Sequence, residues 1–110
     1  MIIFNKYMAI DYGINVAIVA NYLWDLIWDN RKDSDLVFNY GCRWVRYSMR
    51  KIALELGCLS LDMVKNAIKT LTDEGIIKKE NFNESKFDHT NWYAFTEYGD
   101  HVMRRGEWDG

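Results

Sequence analysis

Residues 48–75 read SMRKIALELGCLSLDMVKNAIKTLTDEG, and residues 76–95 continue as IIKKENFNESKFDHTNWYAF. Two short amphipathic periods, a break between them and two strand-like runs after them leave few architectures open. Ser48 predicts the cap of a helix to Leu56, in which Met49, Ile52, Ala53 and Leu56 fall at i, i+3, i+4 and i+7 and Arg50, Lys51 and Glu55 point outward. Gly57 ends it. Ser60 caps the next helix, where Val64, Ala67, Ile68 and Leu71 form the buried stripe while Leu61, Asp62, Lys65, Asn66 and Lys69 share the opposite face. Gly75 is a natural left-handed cap, and Ile76 to Asn81 and Asn91 to Phe95 read as strands around a polar tip from Phe82 to Thr90.

That order predicts an α+β winged helix-turn-helix: helix-turn-helix at about 48–75, a β-hairpin wing at about 76–96, and a last helix at about 97–105 capped by Thr96. Such a layout presents the outer face of the second helix to a groove of duplex DNA. Lys65 and Lys69 stand one turn apart on that face and suit phosphate or guanine, while Asn66 has the donor and acceptor for a bidentate contact to adenine. Ser60, at the helix start, offers a phosphate a hydroxyl and the positive end of the helix dipole. Arg50 on the preceding helix and Lys86 at the wing tip are placed to hold the DNA backbone on either side. Asp62 and Leu61 occupy the end of the face where base edges are usually approached, and Asp62 repels phosphate unless it accepts from cytosine.

Upstream, a helix is expected from a cap at Asn15 to about Asn30. Val16, Ala17, Val19, Ala20, Leu23, Trp24, Leu26, Ile27 and Trp28 cover an arc of roughly 200°, wider than a surface helix needs. Such a helix packs on two sides, against the segment Met1 to Ile10 or against a second copy of the protein. The second option makes Leu23, Trp24, Ile27 and Trp28 a homodimer interface. After a polar loop from Asn30 to Asp35, Leu36 to Tyr40 is a weak strand candidate, and Arg43 to Tyr47 alternates Trp44 on one face with Arg43, Val45 and Tyr47 on the other.

The chain, residues 1–110, reads as a single domain, with 49% hydrophobic residues for a core and neither proline nor a linker-like stretch. Net charge is −2, but residues 41–86 carry nine basic against six acidic groups, so the positive charge sits on the proposed reading unit between two acidic ends. The apolar run from Ile14 to Ile27 is interrupted by Asn15, Asn21 and Asp25, too polar for a membrane span or a signal peptide, which predicts a cytoplasmic protein. Cys42 and Cys58 are expected as two buried or half-buried thiols. With His89 and His101 they lack the paired spacing of a zinc site, and no phosphate-cradling glycine loop appears; no metal, no cofactor and no enzymatic activity are expected.

Several pieces resemble the winged-helix N-terminal domain of replication initiators, or replisome organisers, of phages and plasmids of Gram-positive bacteria. They are Tyr22-Leu23-Trp24, then Arg43-Trp44-Val45-Arg46-Tyr47-Ser48, then Ser60 with Ala67-Ile68-Lys69-Thr70-Leu71 and Gly75, and above all Ser85-Lys86-Phe87-Asp88-His89-Thr90-Asn91-Trp92-Tyr93. The likeness runs from about Ala9 to Phe95. A looser one links Phe95-Thr96-Glu97-Tyr98-Gly99 to small multidrug-type transcriptional regulators. The resemblance implies a protein that binds double-stranded DNA in replication initiation or transcription control of a mobile element. Asp88 and Thr90 also have turn-forming work, and Trp92 or Tyr93 packing work, that needs no DNA. The alternative is a protein-protein interaction module, in which the apolar first helix and acidic ends dock a replication or regulatory partner.

Overall fold

Helix α1 (Lys6–Tyr12) begins because Asn5 caps it: the Asn5 Oδ1 accepts from the backbone N–H of Tyr7 at 2.9 Å and of Met8 at 3.2 Å. The same side chain donates from Nδ2 to the carbonyls of Val102 at 3.1 Å and Met103 at 3.5 Å. A buried amide is thereby satisfied, and the first helix is tied to the last one. The computed structural model describes residues 5–28, 36–39, 41–81, 83, 86, 87 and 90–108. The expected loop 30–35, the strand end Tyr40, and Phe82, Ser85, Asp88 and His89 of the hairpin tip lie outside the described residues.

Helix α2 (Ile14–Trp28) follows with one residue between. Gly13, at φ +98°, closes α1 by donating to Ala9 O, and its own carbonyl accepts from the Ala17 N–H to start α2. Asn15 therefore lies inside the first turn and is not the cap. Val16, Ala17, Val19, Ala20, Leu23, Trp24 and Ile27 are all buried, and α1, α4, β2 and β4 all pack against the helix. The wide apolar arc is covered from within the chain.

This corrects the expected dimer surface. Leu23, Trp24 and Ile27 belong to the main core and are not available to a second copy. Trp28 is 45% exposed, but its ring lies 5.6 Å from that of Trp24, with the guanidinium of Arg43 at 5.0 Å and that of Arg104 at 5.5 Å.

The remaining elements are β1 (Leu36–Asn39), β2 (Cys42–Arg46), α3 (Met49–Leu56), α4 (Leu61–Asp73), β3 (Ile77–Glu80), β4 (Trp92–Phe95) and α5 (Glu97–Trp108). The architecture is α+β, five helices with one antiparallel sheet in the order β1-β2-β4-β3 among the described residues. A two-residue connection with Gly41 at φ +76° joins β1 to β2. Strand β2 then pairs with β4 through Val45 opposite Tyr93 and Arg46 opposite Trp92, extended by a bond from Tyr47 N–H to Asn91 O at 3.2 Å. Strand β4 pairs on its other side with β3, from Ile77 opposite Phe95 to Glu80 opposite Trp92.

The sheet separates two sets of side chains by the period of two. Val45, Tyr47, Ile77, Tyr93 and Phe95 join α2 and α4 in the main core, and Trp24 meets Phe95 edge to face at 5.1 Å. Trp44, Trp92 and Ala94 form a smaller cluster on the opposite face. The expected alternation of Trp44 against Val45 and Tyr47 is what divides them.

Thr96 caps α5 by accepting from the Gly99 N–H at 2.9 Å, and its hydroxyl also donates to the backbone carbonyls of the Gly75-Ile76 turn. Gly99 has no room for a side chain: a Cβ there would lie 1.9 Å from the carbonyl oxygen of Ile76. Close approach of α5 to the end of α4 thus accounts for the Thr-Glu-Tyr-Gly sequence at 96–99.

Candidate nucleic-acid interface

The unit from Ser48 to Gly75 is built from local chemistry. The Ser48 Oγ accepts from Lys51 N–H at 3.0 Å, and Gly57, at φ +73°, donates to Ala53 O and closes α3 in the left-handed conformation. The Ser60 Oγ accepts from Met63 N–H at 3.2 Å and opens α4. At the far end Ile76 N–H bonds to Leu71 O and Gly75 N–H to Thr72 O, a Schellman closure with Gly75 at φ +72°.

Helix α3 is oriented by more than packing. The phenol of Tyr47 donates to Glu55 Oε2 at 2.6 Å, and Tyr22 on α2 donates to the same oxygen. One carboxylate therefore joins α2, the end of β2 and α3. Beside the start of α3, Tyr47, Ser48, Met49, Thr90, Asn91 and Tyr93 line an open cavity of about 300 Å³. Burial pushes the Tyr93 phenol above its ordinary pKa, partly offset by the hydrogen bond from Asn91.

On α4 the side chains divide as the period predicts. Val64, Ala67, Ile68 and Leu71 are buried, Leu61 is half-buried, and Asp62, Lys65, Asn66 and Lys69 are exposed. Four residues of rise separate the two lysines by about 6 Å along the axis. They differ in their surroundings. Lys69 donates to Asp73 Oδ2 at 2.7 Å one turn on, and that hydrogen bond with the carboxylate charge raises its pKa. The pair is fully in solvent, so it is easily exchanged for another anion. Lys65 and the Asn66 side chain have no hydrogen-bond or ion-pair partner among the described residues. The backbone carbonyl of Asn66 accepts from Thr70 Oγ1 at 3.0 Å, and the residue is exposed. Asp62, in the first turn of α4, favours the helix through the dipole, a structural reason for a carboxylate at this end of the face.

The flanking residues are also placed. Arg50 is exposed on α3, whereas its neighbour Lys51 lies over the Tyr47 ring at 4.7 Å. Lys86 is exposed at the tip of the β3–β4 hairpin. The root of that tip is held by Asn83, whose Nδ2 donates to Thr90 O at 2.7 Å while its Oδ1 accepts from Trp92 Nε1 at 3.0 Å. Nothing in the sequence separates Asn83 from its polar neighbours, because its role depends on a residue nine positions away. Lys79, exposed on β3, and Phe87, exposed beside Lys86, add to the surface without any periodic signal that marks them.

Cys42 and Cys58 are free thiols. Cys42 is half-buried against the Trp44 cluster, but Cys58 is exposed: in the turn from Gly57 to Ser60 it is the neighbouring Leu59 that packs on the core. Among the described residues no group of three or more His, Cys, Asp or Glu side chains is arranged to hold a metal ion, and no helix is long and apolar enough to cross a membrane. Comparison with known proteins finds no similar family model, curated protein or solved structure.

Proposed function

We propose that this chain is a winged-helix protein that binds duplex DNA, with α4 as its recognition helix and the β3–β4 hairpin as its wing. The observation that carries the reading is the outer face of α4, where Lys65, Asn66 and Lys69 are exposed directly opposite the buried stripe. Such a face combines diffuse positive charge with one amide able to read a base edge. Lys65 and Lys69 meet phosphate or guanine, Asn66 pairs with adenine, and Ser60 meets a phosphate at the helix start. Arg50 and Lys86 hold the backbone on either side. No cofactor enters the scheme. A role in replication initiation or transcription control of a mobile element rests on the resemblance of the 85–93 sequence and the helix pieces to phage and plasmid initiators, and a place in the cytoplasm on the polar interruptions of the Ile14 to Ile27 run.

Fluorescence anisotropy of a labelled random-sequence duplex, titrated at low and near-physiological salt, tests the proposal. Binding should weaken steeply with salt, and Lys65→Ala with Lys69→Ala should lower affinity and reduce the magnitude of the salt slope by about two, one for each phosphate no longer neutralised. Equal binding by that variant sinks the assignment of α4.

A second reading, a protein-interaction module on the same fold, is favoured by the exposed Ile10 and Ile14 and by the net charge of −2. A partner that is recovered with the protein after nuclease treatment, together with no DNA binding at low salt, would select it.

A further inference from the structure

We propose that Asp73 is a positioning residue that sets the sequence specificity of α4: it holds the Lys69 ammonium so that the remaining donors meet a guanine in the major groove and not a phosphate. This rests on the DNA-binding reading above. At 100° per residue, the buried stripe of Val64, Ala67, Ile68 and Leu71 lies opposite a line through Asp62, Asn66, Lys69 and Asp73. All four are exposed. The outermost row of α4 therefore ends in a carboxylate on both sides, the reverse of what a helix that only grips phosphate needs.

The helix dipole accounts for Asp62 but not for Asp73. Asp73 is the last residue of α4, where the dipole favours cations, and no basic residue stands in that turn. Its ion pair with Lys69 also runs in the weaker direction, with the cation N-terminal to the acid. The two side chains are 74% and 61% exposed, so the pair itself adds little to stability. Glu74, the next acid, lies off the row, and its charge bears on the Tyr12 phenol. A residue that breaks two local rules on an exposed face points to function.

A lysine ammonium has three N–H donors. One of them goes to Asp73 Oδ2 at 2.7 Å, along the row. Two remain, the number that guanine accepts at O6 and N7. Those acceptors are uncharged, so the contact forms with the ion pair intact. Phosphate is different. It either displaces Asp73 or sets two anions beside one cation, and both reduce what Lys69 gains. The pair thus weakens binding to every sequence while sparing binding to guanine, and discrimination rises as affinity falls.

The test uses the full chain as wild type, Asp73→Ala, Asp73→Glu and Lys69→Ala, each selecting from a duplex library randomised over about one helical turn. Wild type should enrich a guanine at a position where Lys69→Ala does not. Asp73→Ala should lose that preference about tenfold, yet bind a random-sequence duplex about two- to fivefold more tightly. Asp73→Glu should keep the preference, because it keeps the charge at the same spacing. In the Lys69→Ala background, Asp73→Ala should change the preference no further, since it acts through the ammonium.

A guanine preference unaltered in Asp73→Ala, or a random-duplex affinity that does not rise, overturns the proposal. So does a wild type that enriches no Lys69-dependent guanine. In each case binding that is still weakened in the Lys65/Lys69 variant leaves the DNA reading standing. No binding of wild type to any duplex at low salt removes both.

Discussion

Helices α2 and α4 are near neighbours in space and similar in length, yet they use their surfaces in opposite ways. Of the 15 residues of α2, seven are buried, on one face about 160° wide at 100° per residue, where α1, α4 and the sheet pack against the helix. Of the 13 residues of α4, four are buried in one narrow stripe. A helix enclosed on several sides stabilises the fold and has little surface left for a partner. A helix held by one stripe keeps a face that stability does not constrain, and there a functional surface can be changed at small cost to the fold.

The largest effect should come from α2. Leu23→Ala removes a fully buried side chain between several elements and should cost about 2–5 kcal/mol in chemical denaturation. A loss below about 1 kcal/mol would show that α2 is not the centre of the core. Next comes the junction where α4 hands over to the sheet. Gly99→Ala puts a Cβ 1.9 Å from the Ile76 carbonyl oxygen, and α5 must shift to relieve it. The expected loss is about 1–3 kcal/mol, read from the same denaturation curves.

A smaller effect concerns α1, which packs against α2. The hydrogen bond between Tyr12 and Tyr98, with burial, pushes the Tyr12 phenol up to about 12. A raised pKa means that the folded state holds the proton more tightly, so the stabilisation is complete below pH 10 and is lost as pH rises from 10 towards 12. Urea midpoints should therefore fall across that window, and Tyr12→Phe should flatten the fall. At the other extreme, the Lys65→Ala with Lys69→Ala variant should unfold at the same denaturant concentration as wild type, because both side chains are in solvent. A midpoint displaced as far as that of Gly99→Ala would break the contrast between the two helices.

The parts legible in the sequence are those set by local chemistry. Ser48, Gly57, Ser60 and Gly75 each act on a backbone group within five residues, and their helix ends fall where the caps predict. The outer face of α4 is legible for the same reason, since one period of 3.6 decides it. The partner that the face meets is not legible, because it is not written in any spacing. Strand β2 could be expected, but its pairing with β4 joins Val45 to Tyr93 across the whole α3–α4 unit, and only tertiary packing fixes that register. Helix α1 is two turns long with Met8 as its one buried residue, too short for a periodic signal. Without α1 in view, the broad arc of α2 resembles a surface waiting for a second copy. In place most of it is buried in the main core.

The clamp at Asn5 has a consequence in time. Its oxygen finds the Tyr7 and Met8 amides as soon as the first turn forms, but its nitrogen needs carbonyls 97 and 98 residues later in the chain. At about 5–20 residues per second of synthesis, that interval is several seconds. During it, α1 has its start signal but not its tether, and the side of α2 that α1 covers has no lasting lid. Emergence of Val102 and Met103 ends the wait, so a single amide couples two helices synthesised seconds apart.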